Sequence, residues 1–207
     1  MRGFPRLKTA TVAAECLARE LSLHEIAETD GSEYVWVWEV EVHSVVMGRS
    51  PDCVLEVDHE ACERAGVPVL RRESGGRTVL LGKGCLNYTL ILRCGESGLH
   101  ERYRLILDAV LDAARVREAR QESTDLIVRS RKFGGCAQRR RRHTLLHHGT
   151  LLYDFDIAGV ARYLAEPRRQ PAYREGRPHV DFLTNVDLHP DFAQRLAARF
   201  PEATVVS

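Results

Sequence analysis

The sequence lacks the features that mark three specialised classes of protein. No apolar run approaches the roughly 20 residues that a membrane-spanning helix requires, so we expect no membrane association. Near the start, Glu15, Arg19 and Glu20 interrupt the apolar stretch of an export signal, which predicts a cytoplasmic protein. Thirty basic residues face 29 acidic ones and the formal charge is +1. This balance argues against a protein devoted to binding nucleic acid.

Paired cysteines and metal-ligand sets are also missing. Six cysteines stand at positions 16, 53, 62, 85, 94 and 136, with no CxxC pair and without the density of a disulfide-stapled domain. We therefore expect reduced thiols. His143 and His147 would share one face of a strand while His148 points away, and no carboxylate or cysteine completes the set. No metal site made of protein side chains is predicted.

The 207 residues fit a single domain, residues 1–207, with 44% hydrophobic and 29% charged residues, which is typical of a soluble globular protein. Periodicity predicts helices over 11–26, 54–65, 102–116, 157–164 and 192–200, one or two strands over 34–47, and strands over 79–81, 86–93 and 143–155. Residues 126–133 have a polar break at Arg129 and Ser130, which predicts a hairpin that returns through Lys132. This mixture predicts an α+β or α/β domain, with helices around a mixed or largely antiparallel sheet. A Pro- and Arg-rich connector, residues 166–179, should lie on the surface or over a cleft.

A first motif, residues 71–88, combines an arginine pair, a Ser-Gly-Gly turn and a second glycine loop before a strand. Glycines let backbone N–H groups turn toward a phosphate, and guanidinium groups add charge-assisted hydrogen bonds. This arrangement is suited to binding an anion such as phosphate. Taken alone, the motif fits an ordinary basic turn equally well, and the spacing of a P-loop is absent.

A second motif, residues 125–156, places Lys132 beside Gly134 and Gly135, followed by the basic run 139–142 and by the pair His148-Gly149. A lysine at a strand end beside glycines can direct a compact cation at an anionic reaction centre. A lone lysine is more often a solvated surface charge. The basic run is interpreted as a solvated loop or a docking patch for an acidic carrier domain.

Taken together and in this order, the two motifs resemble the catalytic domain of the lipoate-protein ligase A family, which is related to octanoyltransferases and biotin protein ligases. The resemblance rests on segments spread over most of the chain. They are Gly48–Ser50, Arg71–Gly76, Gly84–Asn87, Asp125–Val128, Lys132–Gln138 and His148–Leu152.

This resemblance implies a central sheet flanked by helices and a reaction through an acyl-adenylate. The cofactor would be ATP with Mg²⁺, the acid lipoate or octanoate, and the acceptor a lysine of a lipoyl carrier domain. Carriers of the 2-oxoacid dehydrogenase E2 type and of the glycine cleavage H protein type are both expected partners. The preferred acid and carrier stay open.

The resemblance also implies roles for individual residues. Lys132 would be the catalytic residue, stabilising charge on the carboxylate and α-phosphate oxygens. ATP or the adenylate would be bound by Arg72, Ser74, Gly75, Gly76, Arg77, Thr78, Val79 and Leu80 together with Lys132. The acyl group would be bound by Arg71, Asn87, Gly135, Cys136, Ala137, His148 and Gly149.

The chain departs from the family pattern at three points. Arg77 stands where the family has a third glycine, and Leu80 and Leu81 stand where it has a histidine. No room is left for a C-terminal accessory domain, so either a separate partner subunit supplies it or this is a minimal catalytic form.

Two alternatives to the ligase are carried forward. One is octanoyl transfer from an acyl carrier protein through a thioester on Cys136 or Cys85, although residues 116–124, where one group of transferases has its cysteine, contain none. The other is a non-catalytic binder of lipoyl domains or adenylates.

Overall fold

The computed structural model describes residues 12–95 and 99–206. Its α-helices are α1 (Ala13–Asp30), α2 (His59–Ala65), α3 (Leu99–Ala114), α4 (Ile157–Tyr163), α5 (His179–Phe182) and α6 (Phe192–Ala198), with 3₁₀ helices at Pro51–Glu56 and Ala172–Arg174. Its strands are β1 (Tyr34–Trp38), β2 (Ser44–Met47), β3 (Val69–Arg71), β4 (Val79–Leu81), β5 (Cys85–Arg93), β6 (Arg120–Glu122), β7 (Asp125–Val128), β8 (Arg131–Arg140), β9 (Thr144–Leu152) and β10 (Thr204–Val206). No described helix is long and apolar enough to cross a bilayer.

The strands form two sheets. The larger has the order β10-β1-β5-β9-β8-β7-β6 and is antiparallel except where β1 pairs with β10. The smaller has the order β3-β2-β4. The predicted fold, a mixed sheet flanked by helices, is confirmed.

Strand β5 lies in the interior of the larger sheet, between β1 and β9, and both of its faces are covered. Because side chains alternate along a strand, Leu86, Tyr88 and Leu90 lie on one face, in the core that also contains side chains of α3 and α6. Thr89 lies on the opposite face, where α1 covers the sheet, and Ile91 packs there with Ala27 of that helix. A second core joins α1, α2 and α4 to the smaller sheet.

The register of the long strands places the two sequence motifs together. β5 pairs with β9 over its whole length, and β9 pairs in turn with β8, so that Gly135 lies opposite Thr150 and Ala137 opposite His148. β7 pairs with β8 through the two-residue turn at Arg129 and Ser130, which both have a positive φ. This hairpin is the one that the sequence predicts around Lys132.

The predicted helix over 54–65 is wrong as a single element. A 3₁₀ helix, Pro51–Glu56, precedes α2, and the two are separate because the Asp58 carboxylate accepts a hydrogen bond from the Ala61 N–H at 2.9 Å. A side chain that caps a helix start ends any continuation from the preceding turn. The first helix runs four residues beyond its predicted end, to Asp30, and its predicted start at Thr11 lies outside the described residues.

Candidate functional site

A cavity of about 350 Å³ is lined by residues of both sheets, of α1 and α4, and of the connector 166–179. Most of the predicted site residues line it: Arg72, Gly76, Arg77, Thr78, Val79, Leu80, Asn87, Lys132, Gly135, Cys136, Ala137, His148 and Gly149. Apolar side chains from Trp38, Val46, Leu81, Leu152 and Phe155 line the same space. The cavity is therefore a largely apolar chamber with a few charged groups, as binding sites for small molecules usually are.

Arg72 is a buried guanidinium that holds the loop of the first motif in shape. Its Nε donates to Ser74 Oγ at 3.0 Å, its Nη1 to the Val46 carbonyl at 3.1 Å, and its Nη2 to the carbonyls of Gly75 and Arg77 at 2.7 and 2.8 Å. Burial lowers the Arg72 pKa to about 10, which still leaves the side chain charged at neutral pH. Most of its donor capacity is spent on its own loop and on β2.

Two glycines permit the tight packing of this loop. A Cβ at Gly48 would lie 2.1 Å from the Gly76 carbonyl oxygen, and Gly76 itself has a φ of +84°. Arg71 supports the turn at Gly48 from outside the cavity, since its Nη1 donates to the Gly48 and Ser50 carbonyls at 2.7 and 3.1 Å. Arg71, Ser74 and Gly75 do not line the large cavity.

A chain of hydrogen bonds joins Ser74 to the first helix. Ser74 Oγ lies 2.6 Å from His148 Nε2, and His148 Nδ1 lies 2.9 and 3.0 Å from the two carboxylate oxygens of Glu20. Glu20 also accepts from Thr89 Oγ1, and Thr89 accepts from Trp38 Nε1 at 3.0 Å. His148, a predicted acyl-site residue, is thus fixed from both ring nitrogens.

Sequence reasoning missed Glu20, although a signal was present. The residue is 2% exposed and lies on the buried stripe of α1 with Cys16, His24 and Ala27. A glutamate on a buried helical stripe is expected to have a specific polar partner, because an unpaired buried charge is costly.

Lys132 lies at the start of β8, and Asp125 lies at the start of β7. Lys132 Nζ contacts Asp125 Oδ1 at 2.7 Å, and Asp125 Oδ2 accepts from the Tyr173 hydroxyl at 2.7 Å. A Cβ at Gly135 would lie 2.8 Å from Lys132 Nζ, so a side chain there would displace the ammonium group. Burial, followed by the charge of Asp125, raises the Tyr173 pKa, which keeps the hydroxyl a donor.

Arg77 is paired with a carboxylate that the sequence analysis did not identify. Its Nε donates to Glu56 Oε1 at 2.5 Å, while Glu56 Oε2 accepts from the Thr78 backbone N–H at 3.0 Å. The Thr78 hydroxyl donates to the Cys53 carbonyl at 3.2 Å. Glu56 is 4% exposed and, like Arg77, lines the large cavity.

The cysteines proposed for a thioester are poorly suited to be nucleophiles. Burial, and to a smaller extent Asp125, raises the Cys136 pKa to about 12 against the opposing influence of Lys132, and the thiol donates to the Thr124 carbonyl at 3.3 Å. Burial also raises the pKa of Cys85. All six cysteines are free. The thiolate is the reactive form, so neither side chain is activated at neutral pH.

The histidines separate as strand alternation requires. His147 is fully buried on the opposite side of β9 from His148, with Nδ1 2.8 Å from Gln138 Nε2, and burial lowers its pKa to about 3. Among the described residues no group of three or more His, Cys, Asp or Glu side chains could hold a metal ion.

The connector 166–179 lies over the cavity, one of its two predicted positions. Pro167, Arg169, Pro171 and Arg174 line the space. Glu166 accepts from Arg174 and from the His179 N–H, and the Arg174 guanidinium lies 4.6 Å from the Phe182 ring centroid. The basic run 139–142 is partly paired, since Arg139 contacts Glu73 at 3.3 Å and Arg141 contacts Glu25 at 3.4 Å.

Comparison with known proteins finds similarity to lipoate-protein ligases. Lipoate-protein ligase A of Blochmanniella floridana is 31% identical over 126 residues, which are 59% of this chain and 37% of that protein. The matched segments span between 34% and 44% of the curated relatives' own length.

Solved structures share the fold. The bi-partite lipoate protein ligase of Thermoplasma acidophilum, from a study that includes its E2 lipoyl domain, has a TM-score of 0.78 at 19% identity and covers 97% of this chain and 86% of its own. A lipoate-protein ligase A bound with ATP has a TM-score of 0.76 at 19% identity and covers 97% and 87%. The model of the lipoyl protein ligase A/B catalytic domain matches residues 13–195. The chain therefore belongs to the lipoyl protein ligase A/B catalytic-domain family, as the two motifs predicted.

Proposed function

We propose that this chain is the catalytic domain, residues 1–207, of an ATP-dependent lipoate-protein ligase. It activates lipoate or octanoate to the acyl-adenylate and transfers the acyl group to a lysine of a lipoyl carrier domain. One observation carries the proposal: Lys132, positioned by Asp125, lines the same cavity as the Arg72 loop and the ring of His148.

In the first step an oxygen of the acid's carboxylate attacks the α-phosphorus of ATP, and pyrophosphate leaves. The Lys132 ammonium stabilises the negative charge that this step concentrates between carboxylate and phosphate oxygens. The Arg72 hydrogen bonds hold the backbone of Gly75 and Gly76 against Gly48, so that the loop presents a fixed surface to the nucleotide.

In the second step the amine of the carrier lysine attacks the acyl carbonyl, and AMP leaves as the amide bond forms. Lys132 is positioned to stabilise the developing oxyanion. The apolar side chains of Trp38, Val46 and Leu152 suit the hydrocarbon chain of lipoate or octanoate.

We propose that Mg²⁺ arrives bound to ATP. Mg²⁺ usually keeps several waters and is held largely by substrate phosphates. Both oxygens of Asp125, the carboxylate beside Lys132, are already engaged, one by Lys132 and the other by the Tyr173 hydroxyl, so phosphate oxygens and water would hold the ion, and it would neutralise phosphate charge when bound.

The proposed partners are lipoyl carrier domains of the E2 or H protein type. Support comes from the T. acidophilum ligase, which was studied together with its E2 lipoyl domain. A separate accessory subunit for the activation step is also proposed as a partner, and its support is that the T. acidophilum ligase is bi-partite.

The test separates activation from transfer. Purified protein with ATP, Mg²⁺ and lipoate or octanoate is expected to exchange labelled pyrophosphate into ATP. Protein given synthetic lipoyl-adenylate is expected to modify an added E2 lipoyl domain or H protein, even if activation requires a partner. Failure of both reactions with a folded protein contradicts the proposal.

An ATP-free arm addresses the thioester alternative. Incubation with octanoyl-loaded acyl carrier protein is expected to leave the mass of the protein unchanged, because the raised pKa values of Cys136 and Cys85 keep both thiols protonated at neutral pH. A hydroxylamine-sensitive acyl adduct would replace the ligase with a transferase.

A further inference from the structure

The Glu56 carboxylate contacts two donors beside the glycine-rich loop of the first motif. Its two carboxylate oxygens accept from the Arg77 guanidinium and from the Thr78 backbone N–H, which directly follow the Ser-Gly-Gly turn. A guanidinium fork beside a backbone N–H at a glycine-rich turn is a typical anion-binding arrangement. In this chain the anion is supplied internally.

The contact between Glu56 and Arg77 lies in the wall of the large cavity, where a ligand can reach it. Glu56 is 4% exposed, whereas the Arg77 side chain is 32% exposed and both residues line the large cavity with Lys132. The backbone beneath Glu56 is anchored separately, because its carbonyl accepts from the Ala165 N–H at 2.9 Å. The backbone position of Glu56 therefore has an anchor that is independent of the contact between its side chain and Arg77.

We propose that Glu56 is an internal competitor of the nucleotide: a substrate phosphate displaces the Glu56 carboxylate from Arg77 and from the Thr78 N–H, and the carboxylate returns when the phosphate leaves. Glu56 thus lowers nucleotide affinity and assists product release. It is a positioning residue for the loop, and the inference rests on the function proposed above.

Arg77 explains why such a competitor is present. A glycine at this position would offer only its backbone N–H group, whereas Arg77 adds a full positive charge to the cavity beside the Ser-Gly-Gly turn. Without a counter-ion this charge would hold phosphates tightly, because charge-assisted hydrogen bonds to phosphate are strong. The Glu56 carboxylate offsets that excess.

The test compares Glu56→Gln with Asp52→Asn, which removes the same charge from an exposed position on the same 3₁₀ helix. Dissociation constants for ATP and for inorganic tripolyphosphate are measured by calorimetry. We expect Glu56→Gln to lower both by about tenfold, the effect of one strong interaction, and Asp52→Asn to leave both unchanged.

Kinetics and a double-mutant cycle separate competition from mere structural support. In pyrophosphate exchange, Glu56→Gln should lower the KM for ATP more than it changes kcat. In an Arg77→Gly background the same substitution should lose most of its effect, because the two residues act as a pair. Should Glu56→Gln fold poorly, Glu56→Ala removes the carboxylate without leaving an amide at the loop.

The outcomes distinguish this inference from the proposed function. Tight ATP binding with equal or weaker affinity in Glu56→Gln overturns the inference and leaves the ligase in place. Tighter tripolyphosphate binding by Glu56→Gln, with neither adenylate formation nor transfer from lipoyl-adenylate by any variant, supports the inference and overturns the ligase. Absence of ATP and tripolyphosphate binding in every variant overturns the inference, and overturns the ligase as well if transfer from lipoyl-adenylate also fails.

Discussion

Two kinds of cation lie around the cavity, and their partners differ. Arg72 is 9% exposed and donates four hydrogen bonds to a serine and three carbonyls of its own surroundings. Lys132 and Arg77 have more exposed side chains, 28% and 32%, and each forms its ion pair with one carboxylate, Asp125 or Glu56. A cation whose donors are spent on its own loop shapes the site. A cation held by a single carboxylate can exchange that partner for a substrate.

The largest expected effect is that of Lys132 on the rate. Lys132→Ala should reduce acyl transfer on the order of 10²- to 10³-fold, equivalent to ~3 to 4 kcal/mol, because one preorganised electrostatic donor is lost. Lys132→Arg should fail similarly, since a planar fork cannot replace a compact ammonium at this position. Steady-state transfer of lipoate to a carrier domain measures both variants.

Stability provides the control for Lys132. Asp125 keeps its hydrogen bond from Tyr173 in the variant, so the melting temperature should change little. A Lys132→Ala protein with wild-type stability and a rate within about threefold of wild type, far below the loss expected of such a donor, would show that the lysine is not catalytic.

Arg72 should show the reverse of Lys132, with a large effect of its substitution on stability. Arg72→Met leaves Ser74 and the carbonyls of Val46, Gly75 and Arg77 without their charged donor, which we expect to cost about 3 kcal/mol or more of unfolding free energy. For a chain of this size that corresponds to a melting temperature roughly 6 to 12 °C lower. Calorimetry on Arg72→Met and the matched Lys132→Met variant measures the contrast. Equal melting temperatures would remove the distinction between the two cations.

Local patterns were enough to predict most of the fold. Alternating apolar residues identified β1, β5 and β9, and the polar break at Arg129 and Ser130 identified the hairpin that carries Lys132. Short-range periodicity failed at the 3₁₀ helix Pro51–Glu56, where the Asp58 cap interrupts a pattern that still appears helical. The two motifs stand out because glycines, arginines and the lysine cluster along the chain, and the roles of their residues were expectations from the family resemblance.

The partners of those residues could not be found in the same way. Glu20 lies 128 positions from His148, Glu56 lies 21 from Arg77, and Tyr173 lies 48 from Asp125. Each of these contacts depends on how strands and helices pack, and a single acidic or phenolic side chain carries no spacing signal. The sequence therefore predicts which residues form the site, whereas the residues that hydrogen-bond or ion-pair with them are identified by the structure.

The smallest expected effect tests whether Tyr173 weakens the hold of Asp125 on Lys132. Tyr173 donates to the Asp125 oxygen that Lys132 does not contact, and this bond draws part of the carboxylate's charge away from the ammonium group. In Tyr173→Phe that charge would be concentrated on Lys132, so the lysine should exchange its partner less readily. The ring is retained and can still pack against Phe182, at 5.3 Å between centroids.

For Tyr173→Phe we expect a decrease in kcat of about fivefold, the effect of a hydrogen bond of ~1 kcal/mol, with little change in the KM for ATP. Tyr34→Phe, on the distant strand β1, should leave kcat unchanged. A Tyr173→Phe protein whose kcat equals that of Tyr34→Phe would show that Asp125 holds Lys132 without help from the connector.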